Sequence, residues 1–438
     1  MLFVSATTFA AITPNIVFIL ADDLATWELG CYGGRNVRTP NIDRLASEGM
    51  RFTATFASEA MCVPIRSSLY TGLFPARHGA HRNHAAVKPG TQSVPHYLEP
   101  LGYRVGLTGK VHVKPKKAFP FETVPGFEPN CVAETANYDM AGICDFMTRD
   151  PKQPFCLFVC LVLPHAPWTV GDASHFPTNK LVMPPIMIDT PDMRVAFSKY
   201  CAEVAALDQQ VGDILKAVPK NNTLVVFGGE QGPQFPAAKW TLFAPGLASA
   251  MIARWPGHIK PGTVSDAIVQ YEDVLPTMIE AAGGAAPTTL DGRSFLPVLT
   301  GKKTAHRDFA FGIHNNVPEG RPYPIRSIRS PQHKLILNLT PEDEYHEKHM
   351  MDIDREGYWK SVVEAARRDA RSARLLSRFL KRPAVELYDV ANDPWEMNNL
   401  AEKPELAGAR RELENRLRAW MKEQGDPGAP LDLPEKKQ

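Results

Sequence analysis

Cys62-Val63-Pro64-Ile65-Arg66, followed by Ser67-Ser68-Leu69-Tyr70-Thr71-Gly72, sets a thiol and a guanidinium four positions apart around a proline. Read alone, a cysteine beside Pro and Arg is a buried thiol next to a turn. Other groups widen the chemistry. Asp22 and Asp23 are adjacent carboxylates that repel each other unless a cation sits between them. Glu230 and Gln231 add a carboxylate and a carbonyl oxygen, both ligand types for a hard cation. A lone Asp-Asp pair is weak evidence, because such pairs often lie on solvated loops. A lone histidine such as His165 is usually a satisfied structural one.

Position along the chain strengthens these candidates. Short apolar runs end in polar clusters: Asn15 to Leu20 before Asp22-Asp23, and Tyr103 to Leu107 before Thr108-Gly109-Lys110. Phe155 to Leu163 precedes Pro164-His165, and Thr223 to Phe227 precedes Gly228-Gly229-Glu230-Gln231. Near-continuous apolar runs suit strands buried on both faces of a mainly parallel sheet. Helical patterns, Asn41 to Gly49 and Pro191 to Val218, lie between them. Alternating strands and helices predict an α/β sandwich, whose ligands gather at the carboxyl ends of its strands. All four polar clusters fall at such ends.

From about residue 305 the texture changes. Tyr323 to Leu339 holds short strand-like pieces, Lys334 to Leu337 among them, and Trp359 to Lys381 is charged and helical. Glu386 to Asp389 leads into the turn signal Asn392-Asp393-Pro394, and Glu405 to Glu423 reads as a surface helix. The expected division is an α/β domain over 13–304 and a smaller α+β subdomain over 305–430, with a polar tail ending in Lys436-Lys437-Gln438.

Composition narrows the function classes. The chain has 438 residues, and 49 Lys plus Arg against 48 Asp plus Glu leave a net charge of +1. No global field favours nucleic acid or an anionic membrane, so an anionic substrate needs a local cluster. No apolar run approaches the roughly 20 residues that span a bilayer. Leu2 to Ile12 reads either as the remnant of a trimmed signal peptide or as a lead-in to the first strand. The seven cysteines include no Cys-x-x-Cys pair. Cys156 and Cys160 read as buried thiols, and a Cys131–Cys144 bridge stays open.

Cys-x-Pro-x-Arg followed by Thr-Gly resembles the signature of the type I sulfatases, whose cysteine is oxidised to formylglycine; Val63 and Ile65 replace small residues common there. The resemblance covers nearly the whole chain. Asp22-Asp23, Gly109-Lys110-Val111-His112 and Pro164-His165 match further motifs in the same order. Glu230-Gln231-Gly232 departs from the usual Asp-Asn-Gly or Asp-His-Gly, each side chain being one methylene longer, and Lys239 follows eight residues after Gln231. Stretches 109–122, 230–243, 322–339 and 386–401 narrow the likeness to the sulfamidase branch, the heparan N-sulfatases and their bacterial relatives.

The resemblance implies an alkaline-phosphatase-like sandwich with a C-terminal antiparallel subdomain. It implies one calcium ion per chain, held by Asp22, Asp23, Glu230, Gln231 and modified Cys62. Arg66 and His112 would orient the hydrated formylglycine, Lys110 and Lys239 would hold sulfate oxygens, and His165 would protonate the leaving group or bind sulfate. His84 would sit in the pocket, and His314 and Glu319 would line the sugar subsite. The implied partners are a sulfated saccharide and a formylglycine-generating enzyme, with a homodimer also suggested. The implied location is periplasmic or extracellular, the cytoplasm remaining open. Three alternatives stand beside a sulfamidase: an O-sulfatase, a phosphate or phosphonate ester hydrolase of the same superfamily, and a degenerate glycan binder motivated by Glu230-Gln231.

Overall fold

The computed structural model describes residues 13–132 and 137–433. The segment Leu2 to Ile12 and the tail from Lys436 lie outside the described residues. In chain order the strands are β1 (Asn15–Ala21), β2 (Met50–Phe52), β3 (Thr55–Phe56), β4 (Arg104–Gly109), β5 (Glu122–Thr123), β6 (Phe155–Cys160), β7 (Thr223–Gly229), β8 (Met251–Arg254), β9 (Thr263–Ser265), β10 (Val269–Gln270), β11 (Ala310–His314), β12 (Ile325–Arg329), β13 (His333–Asn338) and β14 (Val385–Asp389). Eight of them form one sheet in the order β5-β4-β6-β1-β7-β8-β2-β9. β1 runs parallel to both β6 and β7, with Ile16 opposite Cys156 and Leu224. β8 is antiparallel to β7.

The expected strands are present with shifted ends. β4 and β7 continue through Thr108-Gly109 and Gly228-Gly229, because ladder hydrogen bonds need backbone and not apolar side chains. β6 stops at Cys160, before the apolar run does. β1, β6 and β7 are buried along nearly their whole length, as expected of strands covered on both faces. The long helix Pro191–Ala217 starts from a Thr190 cap on the Met193 N–H. All seven cysteines are free, and Cys156 and Cys160 are buried as expected.

β11 to β14 form a separate antiparallel sheet. The helix Ala407–Glu423 buries Leu413, Leu417, Trp420 and Met421 against Ile313, Ile328, Leu335 and Leu387 of that sheet. The charged helical stretch Trp359 to Lys381 forms two helices, Trp359–Arg368 and Ala370–Leu380. Asp369 turns extended and its carboxylate caps the Ser372 N–H, so a local side-chain bond interrupts the helix. No described helix is long and apolar enough to cross a membrane.

Candidate active site

The expected polar clusters meet at the carboxyl ends of β4, β6, β1 and β7, neighbours in the sheet. Backbone bonds knit the loops together beyond the strands: Lys110 N–H to Cys160 O at 2.9 Å, Asp22 N–H to Leu163 O at 3.2 Å, and Glu230 N–H to Ala21 O at 2.8 Å. Gly109 has φ +81°, and a Cβ there would come within 2.1 Å of Cys160 O, so only glycine lets β4 turn into Lys110. Asp23 also adopts a left-handed φ of 54°. Tyr200 pins that turn by donating from its hydroxyl to Asp23 O (3.0 Å) and accepting from the Ala25 N–H (2.6 Å).

Cys62 opens the helix Cys62–Thr71, all of it buried. Pro64 falls in the first turn, where its missing N–H costs nothing. Arg66, one turn on, shares the face of Cys62. Gly72 ends the helix in a left-handed conformation, its N–H bonded to Ser68 O. The Cys-x-Pro-x-Arg and Thr-Gly pieces are thus the start and stop of one helix aimed at the sheet ends.

Around Cys62 the charges interlock. Lys110 Nζ binds Asp22 Oδ2 and lies 3.4 Å from Cys62 Sγ. Lys239 Nζ donates to Asp23 Oδ2 at 2.6 Å, and Gln231 Nε2 donates to Asp23 Oδ1 at 2.7 Å. Arg66 forks onto Glu230 Oε2 at 3.1 and 2.7 Å. His165 Nε2 is 3.7 Å from Asp23 Oδ2, while its Nδ1 meets Ala166 O at 2.6 Å. Burial pushes the Cys62 thiol far up, helped by Asp22 and Glu230, so the unmodified side chain is a neutral thiol and not a nucleophilic thiolate.

The buried acids and oxygens around Cys62 are of the kind that holds a cation. Burial, with Asp22 adding to it and Arg66 opposing, raises Glu230 to about 8. Burial also acts against Asp22, but Lys110, His165 and Arg66 outweigh it and hold that carboxyl well below its usual range. Two neighbouring carboxylates thus cannot both ionise readily without another cation. Glu230 Oε1 and Gln231 Oε1 are buried with no hydrogen-bond partner among the described residues. Asp22, Cys62 and His165 bring one ligand atom each within 4.8 Å of one another. This donor set, rich in oxygen, fits a hard divalent ion.

The cluster is the buried base, or floor, of a cavity of about 270 Å³, which only its Cys62, His165 and Lys239 reach, while Asp22, Asp23, Arg66, Lys110, Glu230 and Gln231 do not line it. Cys62, His112, His165 and Lys239 line it, as do His84 and Glu319. Burial, reinforced by Lys110 and Arg66, keeps the His112 imidazole neutral, with its pKa lowered to about 2. Burial and Lys239 lower His165 to about 4 against the pull of Asp23. His314 departs from its expected place at the sugar subsite. It is fully buried, its Nδ1 2.5 Å from Glu59 Oε1, and it does not line the cavity, because it closes β11 on the inward face.

Other lining groups carried no sequence signal: Asn83, Trp240, Lys348, His349 and Arg355. Trp240 directly follows Lys239, and its indole stacks on His349 with centroids 5.5 Å apart and a 9° interplanar angle. His349 opens a one-turn π-helix, His349–Ile353, a rare element that tends to occur at functional sites. No motif marks that segment.

Comparison with known proteins supplies the relationship. The family model described as "Sulfatase" matches residues 14–285, and one described as "N-sulphoglucosamine sulphohydrolase, C-terminal" matches residues 237–365. An ulvan-active sulfatase of Formosa agariphila is 32% identical over 421 residues, covering 94% of this chain and 81% of that protein. Human N-sulphoglucosamine sulphohydrolase is 28% identical, covering 94% of this chain and 91% of its own. A solved structure of a protein in complex with its substrate D-glucosamine-2-N,6-O-disulfate shares the fold, with TM-score 0.72 at 21% identity over 95% of this chain and 99% of that one. The large, mostly parallel sheet beside a small antiparallel one is the alkaline-phosphatase-like sandwich. With more than half its length matched by the family model and its motif residues gathered at one set of strand ends, the chain belongs to the sulfatase family of hydrolases.

Proposed function

We propose that the protein hydrolyses a sulfate ester or sulfamate on a carbohydrate, with an N-sulfoglucosamine unit of a heparan-type chain as the substrate class and residue 62 oxidised to formylglycine. One observation carries this reading. Cys62 stands among three buried cations, Arg66, Lys110 and Lys239, beside two buried oxygens, Glu230 Oε1 and Gln231 Oε1, with no hydrogen-bond partner among the described residues. The C-terminal module over 237–365 and the human relative support the sulfamate.

Asp22, Asp23, Glu230, Gln231 and residue 62 would hold calcium, which when bound neutralises the anionic group and polarises its S–O bonds. Formylglycine at position 62 supplies a hydrated aldehyde with two hydroxyls on one carbon. Lys110 and Lys239 place fixed positive charge where sulfate oxygens gather, in a site that excludes water. Arg66 keeps the Glu230 carboxylate oriented. His165 is neutral in the free site and its Nδ1 faces a carbonyl, so the free lone pair is on Nε2. An incoming anion favours its protonation, turning Nε2 into a donor toward the leaving group. On this reading a formylglycine-generating enzyme is a partner and the protein is exported.

Mass spectrometry of the peptide containing Cys62, together with turnover on a panel of N- and O-sulfated saccharides, tests the proposal. The expected outcome is an aldehyde at position 62 and preference for the N-sulfate. An unmodified cysteine in fully active enzyme would overturn the mechanism. The 32% identity to an ulvan-active sulfatase favours a second reading, an O-sulfatase, which a wide preference for O-sulfates would establish.

A further inference from the structure

A chain of contacts at the cavity mouth is unused by the roles above. Glu319 Oε1 stands 3.4 Å from His84 Nε2. His84 Nδ1 stands 3.1 Å from His112 Nε2. At the far end, His112 Nδ1 is buried and has no hydrogen-bond partner among the described residues. Both histidines adopt left-handed backbone, with φ of 59° and 46°. Such conformations persist where surrounding structure enforces them, and they cluster at active sites. The loop carrying His84 is tied to the Glu319 loop twice, through Asn83 N–H to Val317 O at 3.1 Å and Asn83 Nδ2 to Glu319 Oε1 at 2.5 Å.

Proton accounting along this chain gives a direction. Burial acts against ionisation of Glu319, but His349 and Asn83 outweigh it and hold the carboxyl down to about 2. An ionised carboxylate only accepts, so the imidazole edge facing it carries the hydrogen, on His84 Nε2. At a pH where His84 carries a single hydrogen, its lone pair is on Nδ1, and His112 must donate to it from Nε2. The neutral His112 is left with a lone pair on its buried Nδ1, on a ring that lines the same cavity as Cys62. Without Glu319 no carboxylate enforces this tautomer, and only the modest intrinsic preference of a neutral histidine for Nε2–H remains.

We propose that Glu319 and His84 are positioning residues that fix His112 as its Nε2–H tautomer, leaving Nδ1 as a proton acceptor in the active site. Glu319 is thereby reassigned from sugar contact. Its Oε1 is taken by Asn83 and His84, and its Oε2 by His349 at 2.5 Å and Lys348 at 3.5 Å. What the acceptor does rests on the sulfatase chemistry proposed above; the tautomer does not.

Nitrogen NMR of the histidine side chains in the full chain, at about pH 8 where an ordinary imidazole is neutral, reads the tautomer directly. The His112 signal is identified by its loss in H112F. The expected result is Nε2–H in the wild type, with a shift toward Nδ1–H or a mixture in E319Q and in H84F. An Nδ1–H wild type overturns the proposal, as does a wild-type tautomer retained in both variants. The wild-type spectrum and H84F, at a half-exposed position, keep the test alive if E319Q does not fold. On an N-sulfated glucosamine, each variant should lower kcat about 10–100-fold with KM nearly unchanged, as loss of a supporting partner does. The double variant should be little worse than either single one. A raised KM with intact kcat would return Glu319 to sugar contact and overturn the assignment. Wild type without turnover on any sulfated saccharide would sink the sulfatase reading while leaving the tautomer result standing.

Discussion

The floor and the mouth of the cavity are built by opposite means. On the floor, the side chains of Asp22, Arg66 and Lys110 are wholly buried, each with an opposite charge within 4 Å. They come from strand ends and the first turns of one buried helix. At the mouth, the side chains of His84, Lys348 and His349 are 55%, 39% and 36% exposed and come from loops and a π-turn. A charge on the dry floor acts at low dielectric, whereas one at the mouth is screened by water and salt. The comparison teaches that changes on the floor should act on the chemical step and changes at the mouth on substrate choice. The Glu319 relay is the path by which the mouth reaches the floor.

The strongest challenge to this division is removal of a floor carboxylate. Asp22→Ala or Asp23→Ala should cut turnover by at least about 10²–10³-fold, the scale of losing one preorganised electrostatic partner. Exhaustive chelation should do the same, with metal content measured alongside. Full turnover in protein whose metal has been stripped would remove calcium from the floor.

The unusual Glu230-Gln231 pair sharpens the comparison further. Glu230→Ala should abolish activity, since it strips Arg66 of its fork partner and leaves two acids for the ion. Glu230→Asp with Gln231→Asn should preserve or raise activity, because calcium accepts six to eight oxygens in flexible geometry. A double variant as inactive as Glu230→Ala would mean the longer side chains are required, and metal titration of each variant would locate the cause.

The smallest effect belongs to the mouth. Arg355 is exposed and lines the cavity. Arg355→Ala should raise KM a few-fold with kcat unchanged, within the about 1 kcal/mol of an exposed charge contact. A kcat loss on the scale of the floor variants would erase the distinction between the two regions.

Much of the floor was legible because its instructions are local. An apolar run followed by acids encodes a strand and its polar end, as in Asn15 to Asp23, and Cys62 to Gly72 encodes one helix with its cap. The break at Asp369 was not legible because a single cap competes with an otherwise continuous pattern. His314 was misplaced because the end of β11 is covered on both faces, Ile313 toward the helix Ala407–Glu423 and His314 toward Glu59, and only the packing shows that neither face opens to the cavity.

The sequence by itself determined the strand-end clusters, the Cys62–Arg66 spacing and the ligand types for a hard ion. Each depends on neighbours a few residues away, where periodicity and turn chemistry dominate. Only the tertiary structure decided that Glu319, His84 and His112 form one chain, and that Trp240 stacks on His349. Those contacts join residues 28 to 235 positions apart. They exist because the second sheet and its loops dock beside the ends of the first, a long-range packing event that leaves no local signature.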